Sequence, residues 1–571
     1  MLRQPGAPLF VLVFSLACVE TDRDTARRTA GPAEEDTAGG DTAADDTAPD
    51  TAPDDTATSC DTGLLWYVDA DGDGHGDPTR VTTCDDVLGA SPLDDDCDDT
   101  RAEVYAGAPE RATSGRDDDC DGLGGGGAFG EVAFWGAVAN GEHSGTPLGF
   151  GTDVGLPGDL DGDGFADLVV VSPGYDDGSG TLGAAAGVFR GPLTASADKV
   201  YGYDADSILY AGQHDGLDTV SGAGDLDGDG ATDLLLIGSG TGSETYVYLL
   251  RGPVPLGAVD LVSTAQVYVV PGADSLIRGI GAGDLDGDGL DDVVLGAFAA
   301  ADGAGEVYVL RGPVIETTPE GAGTILRGDD GDGLGVVLEP LGDLDGDGVV
   351  DFGVASAPAR ESFLVLDLPA GTVHPADAGV TVTQDAGATR RHHAMLVNPV
   401  GDLNGDGHPD AGFSEQSGSA LLVLFGPFGE EPSIDLETAW DAALVSDSDW
   451  VTEPDVSYSA PLGDWDGDGH EDLAVANADF VPEALREDAW CSDGSWNFCG
   501  YGAVFLVAGP VAGGVYELEV TADRIEPEWP GGGFGDVLAA GSDLDADGAP
   551  DLVVGQPDAD SAYVLFGGGR Y

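Results

Sequence analysis

From about residue 128 onward, short apolar runs alternate with acidic, glycine-rich turns. The turn Gly158–Gly164, GDLDGDG, is followed at once by Leu168-Val-Val-Val171, and the same succession yields Val293-Val-Leu295. A second run comes a little later: Glu306-Val-Tyr-Val-Leu310, Leu421-Leu-Val-Leu-Phe425 and Ala562-Tyr-Val-Leu-Phe566. A third strand-like stretch follows, as at Gln266-Val-Tyr-Val-Val270. Short β-rich runs bounded by Gly-Pro read as strands, and helical periodicity is scarce.

The turns count the units. Their first aspartates are Asp159, Asp225, Asp284, Asp343, Asp402, Asp464 and Asp543, at intervals of 66, 59, 59, 59, 62 and 79 residues. A period near 60 means one supersecondary unit, stacked repeatedly. Four short strands per unit, seven times over, predict an all-β chain folded as a seven-bladed β-propeller across 128–571. An open β-solenoid would show a shorter period. The last unit runs out at Tyr571 without an outer strand, while Glu131-Val-Ala-Phe-Trp135 has a strand pattern and no unit of its own. We expect it to supply the missing strand, closing the ring and removing an exposed edge.

Each turn reads D-x-D/N-x-D-G-x-x-D, with carboxylates at positions 1, 3, 5 and 9 and a backbone carbonyl offered at position 7. The sets are Asp159, Asp161, Asp163, Phe165, Asp167; Asp225, Asp227, Asp229, Ala231, Asp233; Asp284, Asp286, Asp288, Leu290, Asp292; and Asp343, Asp345, Asp347, Val349, Asp351. They continue with Asp402, Asn404, Asp406, His408, Asp410; Asp464, Asp466, Asp468, His470, Asp472; and Asp543, Asp545, Asp547, Ala549, Asp551. Alternate positions in a tight turn let several side chains converge, and Gly164 and its equivalents allow φ > 0. Four carboxylates, a carbonyl and water form a hard, all-oxygen set suited to Ca²⁺, about seven ions in all. Without a cation such crowded like charges oppose folding. The spacing also matches the start of an EF-hand loop, but position twelve is Val170, Leu236 or Leu295 inside a strand, where an EF-hand needs Glu.

These loops resemble the FG-GAP repeats of integrin α-subunit propellers and their bacterial relatives, over about 440 residues. Phe150-Gly151 and Phe534-Gly535 match the FG element; the GAP element survives as Gly296-Ala297 and Ala357-Pro358. The resemblance implies structural calcium loops in strand-connecting turns on one face, with ligands using the opposite face. Integrin propellers load only some blades. Seven loaded blades point instead to a calcium-stiffened scaffold.

Residues 60–123 repeat the theme. Asp69, Asp71, Asp73, His75 and Asp77 in DADGDGHGD form another calcium-type loop, with His75 at position 7. DDDCDD and GRDDDCDGL resemble the metal-binding cysteine modules of secreted bacterial surface proteins. Cys60, Cys84, Cys97 and Cys120 can form two disulfides, in a pairing the sequence leaves open. A glycine hinge, Gly122–Gly127, separates this module from the repeats.

Upstream, Arg3 precedes an apolar run from Leu9 to Leu16, the pattern of a secretory signal over residues 1–17. Leu16-Ala17-Cys18 resembles a bacterial lipobox with Cys18 as the lipidated first residue, although Ser15 stands where an aliphatic residue is usual. An ordinary signal peptide cut nearby is the alternative. Removing Cys18 from seven cysteines leaves an even six, suited to an oxidising compartment, including the pair Cys491 and Cys499. Residues 18–59 repeat Asp-Thr-Ala with prolines between, a disordered stalk spanning roughly 35 Å.

The net charge of −87, from 107 acidic and 20 basic residues, argues against nucleic acid and anionic membranes as partners. The only membrane contact expected is an N-terminal lipid anchor. At 42% hydrophobic residues the chain can still bury a core. No zinc motif, phosphate loop or Ser/His/Asp arrangement stands out, and adjacent His392 and His393 would point to opposite faces of a strand. Arg327-Gly328-Asp329 spells an adhesion tripeptide that composition alone accounts for. The insertion 478–502, with Trp490 and Trp496, is a plausible binding loop or a merely stabilised one. The expectation is thus a monomeric, exported, surface-anchored calcium propeller acting as scaffold, adhesin or recognition module for a protein or glycan. An extracellular hydrolase or lyase on the same scaffold is the alternative.

Overall fold

A computed structural model describes residues 149–568 apart from gaps, the longest being 385–394, 447–455 and 481–501, together with Glu131–Trp135 and parts of 66–111. The N-terminal signal, Cys18, the stalk, all six other cysteines, Ala357-Pro358, His392-His393 and the tryptophans of the insertion lie outside the described residues.

Seven antiparallel sheets follow one another along the chain. Blade 1 is typical. Its innermost strand, Val154–Gly158, turns through the first acidic loop into Asp167–Asp176, then Leu182–Phe189, then Ser207–Tyr210. The second strands are buried on both faces, as at Asp292–Ala297 and Asp551–Gln556. A strand sandwiched between neighbours has no solvent face, and this is why these segments read as unbroken apolar runs rather than alternating ones.

The core is not a single centre. Among the described residues it divides into seven clusters, each between two adjacent blades. The closing cluster joins Val553, Val564 and Phe566 of blade 7 to Val154, Leu168 and Phe189 of blade 1. Closure is also covalently staggered, as expected. Glu131–Trp135 pairs antiparallel with Ser561–Leu565, from Trp135 opposite Ser561 to Glu131 opposite Leu565, and so forms the fourth strand of blade 7.

The blades differ from the four-stranded expectation in one respect. Among the described residues, six of the seven sheets carry a fifth, parallel strand at the outer edge. Five of these come from the next blade, just ahead of that blade's own fourth strand. Gly257–Asp260 of blade 2 caps Ser207–Tyr210 of blade 1, and Val200–Tyr201 of blade 1 caps Glu131–Trp135 of blade 7. Blade 6 is capped by Glu110–Arg111, from the chain preceding the ring. The added strands are short because they need only cover an edge that would otherwise offer unpaired amides. Three run into a helical turn whose leucine, Leu261, Leu436 or Leu518, is buried. The recurrent sequences VDLVSTA, IDLETAW and YELEVTA were the readable trace of this element.

The FG elements precede the inner strands of blades 1 and 7. Phe150 and Phe534 are buried, and Phe534 packs edge-on against Tyr563 at 5.5 Å. Gly151 has φ +83°, and a Cβ there would run into the carbonyl of Ser561. Gly296-Ala297 ends the second strand of blade 3. Arg327 of the RGD tripeptide ends a strand and forms an ion pair with Glu306, its cross-strand partner.

Candidate metal centres

Every acidic loop joins an inner strand to the second strand, so all seven lie at the same end of the ring. In loop 1 the position-1 carboxylate is the hub. Asp159 Oδ1 accepts the N–H groups of Gly162 (2.7 Å) and Asp163 (3.1 Å), and Oδ2 accepts that of Gly164 (2.7 Å). Asp161 Oδ1 accepts from Asp163 N, and Asp163 Oδ1 from Phe165 N. The remaining faces of these carboxylates converge. Ligand oxygens of Asp159, Asp161 and Asp167 lie within 4.8 Å of one another, as do those of Asp284, Asp286 and Asp292, and of Asp464, Asp466 and Asp472. In loops 2 and 4 the clustered residues are Asp225, Asp227, Asp229 and Asp343, Asp345, Asp347.

Position 9 has a second duty. Asp167 is buried; its Oδ2 accepts Leu160 N from the loop (2.8 Å) and its Oδ1 accepts Gly191 N from beyond the third strand (2.9 Å). Asp233, Asp292, Asp410, Asp472 and Asp551 receive the equivalent bond from Gly252, Gly312, Gly426, Gly509 and Gly567. This is what the glycine of the recurrent Gly-Pro does in blades 1, 2, 3, 5 and 6, beyond bounding a strand; in blade 7 the glycine is that of Gly567-Gly568. At position 7 the backbone N–H donates to the position-5 side chain in all seven loops. The His408 and His470 rings lie against Gly346 and Gly405 of the preceding loops.

The loops are also linked to one another. Val254 N of blade 2 donates to Leu160 O of loop 1 (2.7 Å), Phe428 N to Leu344 O, Val511 N to Leu403 O, and Leu193 N of blade 1 to Leu544 O of blade 7 (2.6 Å). Carboxylates at position 8 join in: Asp291 accepts Asp225 N, and Glu471 accepts Asp402 N. Ordering one loop therefore orders the junction to the next blade.

The electrostatics call for a cation. Burial pushes Asp351 up to about 8, reinforced by the carboxylates of Asp345, Asp347 and Asp343. Burial likewise pushes Asp410 and Asp551 up to about 7, and Asp167 and Asp292 up to about 6, despite the backbone bonds that favour the charged form. In loop 6, Asp464 Oδ1 is buried with no hydrogen-bond partner among the described residues. An all-oxygen donor set with an orphaned carboxylate oxygen fits a hard divalent cation such as Ca²⁺.

A pH dependence follows. These groups bind protons more readily folded than unfolded, where the value is near 3.8. Their stabilising effect is therefore complete below that value and is lost as pH rises through 6 to 8. The EDTA-treated protein is expected to melt at a higher temperature at pH 5 than at pH 8. Calcium should flatten the difference, and equal metal-free melting temperatures would contradict the account.

In the N-terminal module, Trp66–Val68 pairs with Val81–Thr82 and with Ala90–Ser91. Asp69 follows the first strand and is buried, and Gly76 O accepts Asp96 N (3.3 Å), so the DADGDGHGD loop meets the DDDCDD stretch. His75 is half-buried; Asp71, Asp73 and Asp77 lie outside the described residues.

One constellation was missed. Asp153, Arg278 and Glu339, at or in the inner strands of blades 1, 3 and 4, interact within the ring. Asp153 Oδ2 accepts Val220 N of blade 2 (2.8 Å), and burial pushes its carboxyl up to about 6. Burial pushes Glu339 up to about 7, which Arg278 opposes and Asp153 reinforces. The available signal was a single charge in strands otherwise made of glycine and aliphatic residues, RGIGAG and LGVVLEPLG.

Comparison with known proteins agrees with this anatomy. Residues 225–295, loop 2 to the second strand of blade 3, match the FG-GAP-like repeat, and residues 96–124 match the Cu-binding MopE metal-binding motif. Among solved structures, two crystal structures of BBS1N in complex with ARL6DN are similar. The one soaked with lead shows 11% identity and a TM-score of 0.33, covering 72% of this chain and 91% of that one. The one soaked with mercury shows 9% and 0.35, covering 72% and 92%. Both are too distant to bear on function. The chain is a seven-bladed β-propeller that carries an FG-GAP-like repeat and, ahead of it, a MopE-like metal-binding motif, two elements typical of extracellular and surface proteins.

Proposed function

We propose that this protein is an exported, lipid-anchored, calcium-binding propeller that presents a rigid recognition surface for a protein or glycan. The observation that carries it is the repeated loop: seven copies of one acidic pattern, at least five of them gathering three carboxylate oxygens, each hydrogen-bonded into its own blade and most bonded into the next. Calcium in that position joins blades rather than reacting with anything. The MopE-like motif leaves the metal of the N-terminal module open between calcium and copper, and its loop Asp69–Asp77 favours calcium.

Isothermal titration of calcium into chelator-cleared protein, with copper as the comparison, tests the metal assignment; about seven calcium equivalents are expected for the propeller. Cys18→Ser should move the protein from the membrane fraction to the soluble one, and continued membrane retention would remove the anchor. A glycan and protein array probed in calcium would identify the ligand.

The enzyme reading has one observation in its favour, the two acids and one arginine inside the ring. Asp153 is committed to backbone amides of two blades, which makes it a brace. Hydrolysis of an extracellular polymer that Glu339→Gln abolishes would reverse that judgement.

A further inference from the structure

The seven loops are alike in their aspartates but not in what stands beside them. The residue immediately after the third strand is Arg190, Arg251 and Arg311 in blades 1 to 3. In blades 4 to 7 it is Leu366, Phe425, Ala508 and Phe566. Each arginine turns back onto its own loop. Arg190 Nη1 lies 2.7 Å from Asp161 Oδ2, Arg251 Nη1 donates to Asp233 Oδ2 at 2.7 Å, and Arg311 Nε stands 3.4 Å from Asp286 Oδ2.

Two of them also reach forward. Arg190 Nη2 donates to Val254 O of blade 2 (2.7 Å), and Arg251 Nη2 to Pro313 O of blade 3 (3.3 Å). Those carbonyls belong to the segments after the next blade's third strand, where Val254 N already clamps loop 1. One guanidinium thus neutralises a loop carboxylate and ties the loop to the following blade. A bound cation would do both in the other blades. The first pair is also sheltered: the side chains of Arg190 and Asp161 are only 17% and 15% exposed, so solvent screens it weakly.

Blade 4 is the opposite extreme. Asp367 occupies the place of the supporting glycine, and its own N–H goes to Ala378 O. A fifth carboxylate therefore stands where the other blades supply an amide. Loop 5 replaces one carboxylate by Asn404, whose amide donates to Asp410, and carries Phe425 where blades 1 to 3 carry the arginine.

We propose that Arg190, Arg251 and Arg311 are built-in counter-cations, so that the seven loops form two classes: three that stay closed without metal and four that depend on it wholly. The proposal rests on the reading that the loops bind calcium. It implies that in low calcium the ring loosens on one side, from blade 4 to blade 7, while blades 1 to 3 remain stacked. It also implies weaker calcium binding at loops 1 to 3, because the ion must share or displace a guanidinium.

The full-length protein tests this by limited proteolysis with mass-spectrometric mapping, in calcium and in EDTA, beside calcium titration. In EDTA, cleavage is expected to begin in the loops from Asp343 onward and to spare those at Asp159, Asp225 and Asp284. The triple variant Arg190→Gln, Arg251→Gln, Arg311→Gln should extend cleavage to the first three loops in EDTA but not in calcium. It should bind calcium there about tenfold more tightly. Arg→Lys at the same sites should restore part of the metal-free protection. The reverse change, Ala508→Arg at an exposed position of blade 6, should protect loop 6 in EDTA, and it keeps the idea testable if the triple variant fails to fold. Uniform cleavage of all seven loops in wild-type EDTA samples, or an Ala508→Arg protein as metal-dependent as wild type, overturns the two-class proposal. Absence of any calcium binding overturns the calcium reading itself, a result the titration reports separately.

Discussion

Stripping calcium with EDTA at pH 8 is expected to lower the melting temperature of the full-length protein by roughly 20 °C or more. A site saturated a thousandfold above its Kd contributes about 4 kcal/mol by mass action, and several sites act at once. A domain of this size shifts by at most a few degrees per kcal/mol, so only a sum over loops reaches that drop. The cause is local. Burial pushes the position-9 carboxylates up, Asp351 above all, with neighbouring carboxylates adding to it; they hold the loop and, outside blade 4, the segment after the third strand as well. Differential scanning calorimetry in excess calcium and in EDTA reads the effect directly. Coincident transitions would show that the metal contributes nothing to the fold.

The second large effect concerns closure. A chain starting at residue 136 lacks Glu131–Trp135 and leaves the Ser561–Leu565 edge of blade 7 unpaired. It also loses the strand against which Val200–Tyr201 of blade 1 lies. Both junctions that seal the ring fail together, and an open sheet edge invites pairing with another chain. We expect such a protein to aggregate or to unfold non-cooperatively, whereas a chain starting at residue 109 keeps Glu110–Arg111 and Glu131–Trp135 and should remain monomeric. Size-exclusion chromatography of the two separates the outcomes. A monodisperse, cooperatively melting 136–571 would show that the seven inter-blade clusters suffice without the overlap.

Much of the architecture was legible because one motif recurs. A Gly-Asp turn every sixty residues counts the blades, and an apolar run after each turn marks a strand covered on both faces, such as Leu168–Val171. The closing strand was legible too, since Glu131–Trp135 had a strand pattern with no blade of its own. The outer caps were not, because strands as short as Val200–Tyr201 have no periodicity to detect. They exist only because a neighbouring edge is in reach. The same holds for Asp153, Arg278 and Glu339, which are far apart in the chain and meet only when inner strands gather around an axis.

The site divides the same way. Local spacing determined the donor set: carboxylates at positions 1, 3, 5 and 9 lie within nine residues, so one tight turn can gather them. By itself the sequence thus determined the blade number, the loop positions and the oxygen chemistry, because each depends on residues close together along the chain. Only the tertiary structure decided how the loops differ. Arg190 lies 29 residues after Asp161 and Val254 a further 64 on, and no local pattern says that a guanidinium bridges them. That pairing depends on where the third strand ends and on which blade comes next, and both are set by the closing of the ring.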